Sequence, residues 1–138
     1  KQKIDNYDFS GLPKKIVIRR SVPHGRYWPC ISGMIGLLKE ENYKVIPILI
    51  QRDIVATIKS QLKNKHAGTE EEAKFQIDYA MYFIMNELVE AGTYPIILNY
   101  ELFTSNEKSR KLFYKKIKLP VPEMNFFDGN KKYTEGLN

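Results

Sequence analysis

The sequence predicts an α/β fold: a parallel sheet with helices on both faces. Three observations predict it. Short apolar runs alternate with helical patterns along the chain, in the order strand, helix, strand, helix, helix, strand, helix, which is the signature of crossover-connected parallel strands. The run at residues 44–51 (KVIPILIQ) is apolar on both faces, as in a strand covered on both sides. The run at residues 94–99 (YPIILN) then returns after two helical patterns.

Each element has its own justification. Residues 1–13 are polar, with Gly11 and Pro13 marking a turn, and read as a lead-in. Residues 15–20 (KIVIRR) are rich in β-branched side chains, so the sequence predicts a strand. Pro23, Gly25 and Pro29 make residues 21–29 a loop. Ile31, Met34, Ile35 and Leu38 form one stripe of a helix over 31–42. Ile54, Ile58 and Leu62 recur every four residues, giving a helix over 53–65 with Asp53 as cap or first-turn acid.

Ala67-Gly68 breaks that helix. Thr69 and Glu72 have capping-box spacing. Ala73, Ile77, Met81, Ile84 and Leu88 carry a core-facing stripe to about Ala91, where Gly92 supplies a C-terminal cap. Residues 106–117 form a basic amphipathic helix that Pro120 and Pro122 end, and an irregular tail follows. Glu70, Glu71 and Glu72 are favourable charge at a helix start rather than a metal site.

Bulk properties narrow the function. At 138 residues the chain fits one domain, 1–138, with a 43% hydrophobic and 28% charged composition ordinary for a globular protein. No apolar run approaches the roughly 18 residues of a membrane span. The first six residues lack the apolar core of a signal peptide, so a cytoplasmic protein without a membrane partner is expected. Lys1 is no initiator residue, so the chain is expected to begin inside a longer protein. Cys30 stands alone and the two histidines, His24 and His66, are 42 residues apart, so no metal site is expected. The net charge of +6 suits phosphate-bearing or polyanionic partners. Lys14, Lys15, Arg19, Arg20 and Arg26 form one basic cluster. Residues 108–118 hold another, best explained as a solvated helix face.

The chemistry centres on Arg52. It ends the second predicted strand, and Ser60 follows eight residues later on the next helix. Open α/β sheets bind ligands at the carboxyl ends of their strands. Arginine presents a rigid donor fork matched to phosphate oxygens. Positions 53, 56 or 57, and 60 share a helix face, so hydroxyl and guanidinium can converge on one anion near a helix N-terminus with unpaired N–H groups. The rival explanation pairs Arg52 with a nearby acid and leaves Ser60 in solvent. His24 lies in the loop after the first predicted strand and suits a general base. Arg19 and Arg20 point to opposite sides of that strand, and whichever faces the cleft can stabilise developing charge. Tyr27 and Trp28 either line an acceptor pocket or cover the sheet edge.

The stretch KVIPILIQRDIVATIKSQ resembles the sulfotransferase segment in which a strand ends in Arg and a helix supplies Ser eight positions later. KKIVIRRSVPHG resembles an earlier strand of that family, with a basic residue at its end and a proline soon after. PIILNYELFTSNEKSRKLFYKKIKLPVP resembles the family's strand ending in Tyr-Glu, here Tyr100-Glu101, with a helix and a Leu-Pro turn, here Leu119-Pro120. The matches keep their order from about Lys14 to Pro122.

The resemblance implies a three-layer P-loop NTPase-like sheet. It also implies transfer of a sulfuryl group from 3′-phosphoadenosine 5′-phosphosulfate to a hydroxyl or amine on a small-molecule or glycan acceptor. Arg52 and Ser60 would bind the donor's 3′-phosphate, with Lys131 and Lys132 partly replacing the family's C-terminal Arg-Lys-Gly motif. Arg19, Arg20 and His24 would be catalytic. The chain departs from the family in three ways. No GxxxxGK[ST] or similar loop occurs, so the domain is expected to lack its first strand and phosphate-binding loop. Ser21 stands where the family has its catalytic histidine. The Arg-Lys-Gly motif itself is absent. Two alternatives stay open: a P-loop kinase acting on a small molecule or nucleotide, and a non-catalytic basic module that binds nucleic acid through residues 108–118.

Overall fold

A computed structural model describes residues 9, 11–23 and 27–134 of the chain, without the side chains of Lys131 and Thr134. It is a mixed helix and strand fold with a small parallel sheet. In chain order the elements are α1 (Ile31–Glu40), β1 (Ile48–Gln51), α2 (Ile54–Lys63), α3 (Glu70–Glu90), β2 (Ile96–Asn99), α4 (Tyr100–Ser105), α5 (Glu107–Ile117) and α6 (Lys131–Thr134). Two compact units divide the chain. The first comprises Lys1–Pro47 and Ile77–Pro95, the second Ile48–Gln76 and Ile96–Asn138.

The first unit is built on α1 and the later turns of α3. Ile31, Ile35 and Leu88 are buried together, with Val22, Val45, Phe83, Ile84 and Ala91 packed around them. These are the stripes that the helical spacing predicts. Cys30 stands at the N-terminus of α1 without a side-chain cap bond. The carboxylate of Glu87 takes that role from α3, accepting from Ser32 N and Ser32 Oγ, each at 3.0 Å. Glu87 is only 5% exposed, and a buried carboxyl group requires hydrogen-bond partners. Trp28 meets Tyr79 and Phe83 edge to face at 5.0 and 4.9 Å, so it covers α3, while Tyr27 is exposed.

The predicted strand at 15–20 does not form: those residues have no regular structure. Val17 is 91% exposed there. A β-branched run becomes a strand only when a neighbour takes its backbone groups.

In the second unit, β1 and β2 pair in parallel, with Ile48 opposite Ile96 and Gln51 opposite Asn99. These are the only two strands among the described residues. Both are shorter than their apolar runs. The sheet is not covered on both faces as expected, since Ile48, Ile50 and Ile97 are exposed. Their continuous apolarity therefore does not report two-sided burial here.

Asp53 caps α2 by accepting from Ala56 N at 2.8 Å. Asn99 and Asn106 cap α4 and α5 the same way. The short helix α4 follows β2 directly, where no element was expected. Behind it, Phe103 packs against Phe113, Tyr114 and Phe126. Arg110 Nη1 donates to the carbonyls of Phe103 and Thr104 at 3.1 and 2.9 Å. Arg110 therefore turns inward, while Lys108, Lys111, Lys115, Lys116 and Lys118 are exposed, as a solvated helix face requires.

Four helices end alike. After α1, α2, α3 and α5 stand Asn42, Lys65, Gly92 and Lys118, with φ of 61°, 56°, 65° and 57°. In each case the next N–H reaches back to a carbonyl in the last turn: Tyr43 to Leu38, His66 to Gln61, Thr93 to Leu88 and Leu119 to Tyr114. This is the Schellman pattern. No helix among the described residues is long and apolar enough to cross a membrane.

Candidate functional site

Arg52 lies directly after β1, and α2 starts two residues later. Its Nε donates to Asn130 Oδ1. Asn130 is buried, and its Nδ2 donates to Glu101 Oε1. Glu101 Oε1 in turn accepts from Asp53 N at 2.8 Å. Arg52 is thus held by a neutral amide carbonyl, and the carboxylate stands one residue further out. The Tyr-Glu pair at the end of β2 supplies both halves of this frame. Tyr100 Oη accepts from Gly129 N at 2.9 Å, and a side chain at Gly129 would press on that hydroxyl at 3.1 Å.

Ser60 sits two turns into α2. Its Oγ donates to Tyr133 Oη at 3.3 Å and accepts from Asn64 Nδ2 at 3.3 Å. Lys59 Nζ donates to the Tyr133 carbonyl at 3.0 Å. The Arg52 guanidinium carbon lies 5.3 Å from the Tyr133 ring centre and 5.8 Å from that of Tyr100. Lys63 Nζ and Lys132 Nζ stand 5.7 and 4.9 Å from the Tyr133 ring, within cation–π range. One tyrosine ring therefore joins Arg52 to Ser60, with three lysines around it. The Tyr133 phenol is held below the usual tyrosine range, first by the Ser60 hydrogen bond, then by Lys132 and Lys63.

Of the predicted phosphate ligands, Arg52, Ser60 and Lys132 meet at this ring. Lys131 belongs to the same helical turn, α6. The predicted open helix N-terminus is changed in one respect: the Asp53 carboxylate takes Ala56 N, placing negative charge where an anion was expected. Arg19 and Arg20 belong to the first unit, Arg19 exposed and Arg20 half-buried. His24 and Arg26 lie outside the described residues. No group of three or more metal-ligating side chains occurs among the described residues.

Sequence reasoning missed Tyr133, Asn130, Lys59 and Lys63. A turn signal existed in Asp128-Gly129-Asn130, and Asp128 Oδ1 does accept from Asn130 N at 2.8 Å. Nothing local says that this turn returns to Arg52. No protein family, curated protein or solved structure matches this chain.

Proposed function

We propose that the second unit binds the 3′-phosphate of 3′-phosphoadenosine 5′-phosphosulfate, and that the protein is a sulfotransferase-like transferase on a P-loop-type α/β scaffold. The observation that carries this reading is the convergence of Arg52 and Ser60 on one ring at the carboxyl end of a parallel strand. Arg52 stands beside a neutral partner, and Lys59 and Lys63 add to a positive field suited to a phosphate.

In the transfer, an acceptor hydroxyl or amine would form a bond to sulfur as the bond from sulfur to the bridging phosphate oxygen breaks. 3′-Phosphoadenosine 5′-phosphate would leave. The acceptor proton would go to a base, a role this reading gives to His24. Arg19 or Arg20 would balance charge on the sulfuryl oxygens.

Calorimetric titration with adenosine 3′,5′-bisphosphate tests the reading. Binding should be lost, by roughly a hundredfold or more, in Arg52→Ala, because a charge-assisted fork is removed. Ser60→Ala should lose about fivefold. ATP with Mg²⁺ should bind more weakly than the bisphosphate; the reverse would favour a kinase. Unchanged affinity in Arg52→Ala would end the assignment.

A further inference from the structure

We propose that Tyr133 is a tethered occupant of the anion site, so that a phosphate enters only when α6 leaves. The proposal rests on the reading of Arg52 and Ser60 as phosphate ligands. It follows from the hydrogen count at Ser60. A hydroxyl carries one proton. Ser60 gives that proton to Tyr133 Oη, while its oxygen already accepts from Asn64. A fully ionised phosphate oxygen only accepts, so Ser60 can serve it only by turning that proton away from Tyr133.

The same competition holds for the cations. Lys59 is committed to the Tyr133 carbonyl. The Arg52 Nε is committed to Asn130, whose carbonyl accepts Tyr133 N at 2.7 Å. Lys63 faces the ring itself. Tail and ligand therefore draw on one set of donors. Anything that weakens the tail's hold must strengthen the ligand's, because a competing state lowers apparent affinity by the fraction it occupies.

The hold has a finite size. It consists of one hydroxyl–hydroxyl bond, one lysine–carbonyl bond and a few exposed cation–π contacts. Each is worth about threefold or less in an equilibrium constant at a half-exposed position. The tyrosine side chain alone should then shift affinity by roughly tenfold.

The test is the affinity of the full chain for adenosine 3′,5′-bisphosphate, compared among the unsubstituted protein, Tyr133→Phe, Tyr133→Ala and Arg52→Ala. Tyr133→Phe keeps the ring and frees the Ser60 proton; Kd should fall about threefold. Tyr133→Ala should lower it about tenfold, and tryptic cleavage after Lys132 should speed up when ligand is added to the unsubstituted protein. If Arg52→Ala abolishes binding while both Tyr133 variants bind no more tightly, the tethered occupant is wrong and the phosphate site stands. If Arg52→Ala leaves affinity unchanged, or no form binds, the phosphate site itself is wrong and this proposal falls with it. Should Tyr133→Ala fail to fold, Tyr133→Phe decides alone.

Discussion

Asn130→Ala is the sharpest test of the frame around Arg52. The side chain is 2% exposed and makes two bonds to charged partners, accepting from Arg52 and donating to Glu101. A hydrogen bond to an ionised group contributes about 1.5–3 kcal/mol. Arg52 and Glu101 are both half-exposed, so water replaces part of each loss and the lower end applies. The two bonds together should cost about 2–3 kcal/mol. With a urea m-value of about 1–3 kcal/mol/M, the unfolding midpoint should fall by roughly 0.7–3 M, read by far-ultraviolet circular dichroism. Asn130→Asp should not rescue it, because the new carboxylate can accept from Arg52 but meets Glu101 with like charge. A midpoint shift below about 0.3 M in Asn130→Ala would refute the idea that this amide organises the site.

Other outcomes follow from single features. Lys118→Gly should raise stability by about 1 kcal/mol, since only the lysine side chain makes a φ of 57° unfavourable; a fall in midpoint would contradict the Schellman assignment. Glu87→Gln should lose about 1–2 kcal/mol, because a neutral amide accepts more weakly from Ser32 N and Oγ. Tyr133 gives a pH dependence with a definite sign. Its phenol is lowered in the folded state, so the phenolate strengthens the closed tail as pH rises through that lowered value, completely so above the ordinary value near 10. The charges facing it are Arg52, Lys63 and Lys132, with Lys59 on its carbonyl. Nucleotide Kd should therefore climb with pH in the unsubstituted protein and stay flatter in Tyr133→Phe; parallel profiles would contradict it.

Local chemistry made much of the fold legible before any coordinates. The amphipathic stripes named the buried faces of α1 and α3, and Asp53, Thr69 and Gly92 cap as their residue types demand. The helix ends near Lys65 and Lys118 were legible, but their positive φ was not, because lysine has no preference for it; the tertiary setting imposes it. Residues 15–20 show the converse failure, a good strand composition without a strand. The site was half legible. Arg52 and Ser60 could be paired because eight residues of strand end and helix fix their relation. Tyr133 could not be added, since 73 residues separate it from Ser60 and no periodicity spans that distance.

The cap that Glu87 places on α1 has a consequence for how the protein is made. Ser32 and Glu87 are 55 residues apart, and most of the intervening chain, from Ile48 to Gln76, belongs to the other unit. A nascent chain leaving the ribosome therefore exposes α1 with its N-terminal amide groups open until the last turns of α3 emerge. At about 5–20 residues per second of synthesis, that interval lasts on the order of several seconds. The first unit cannot close until Ile77–Pro95 has been made, after part of the second has already been read.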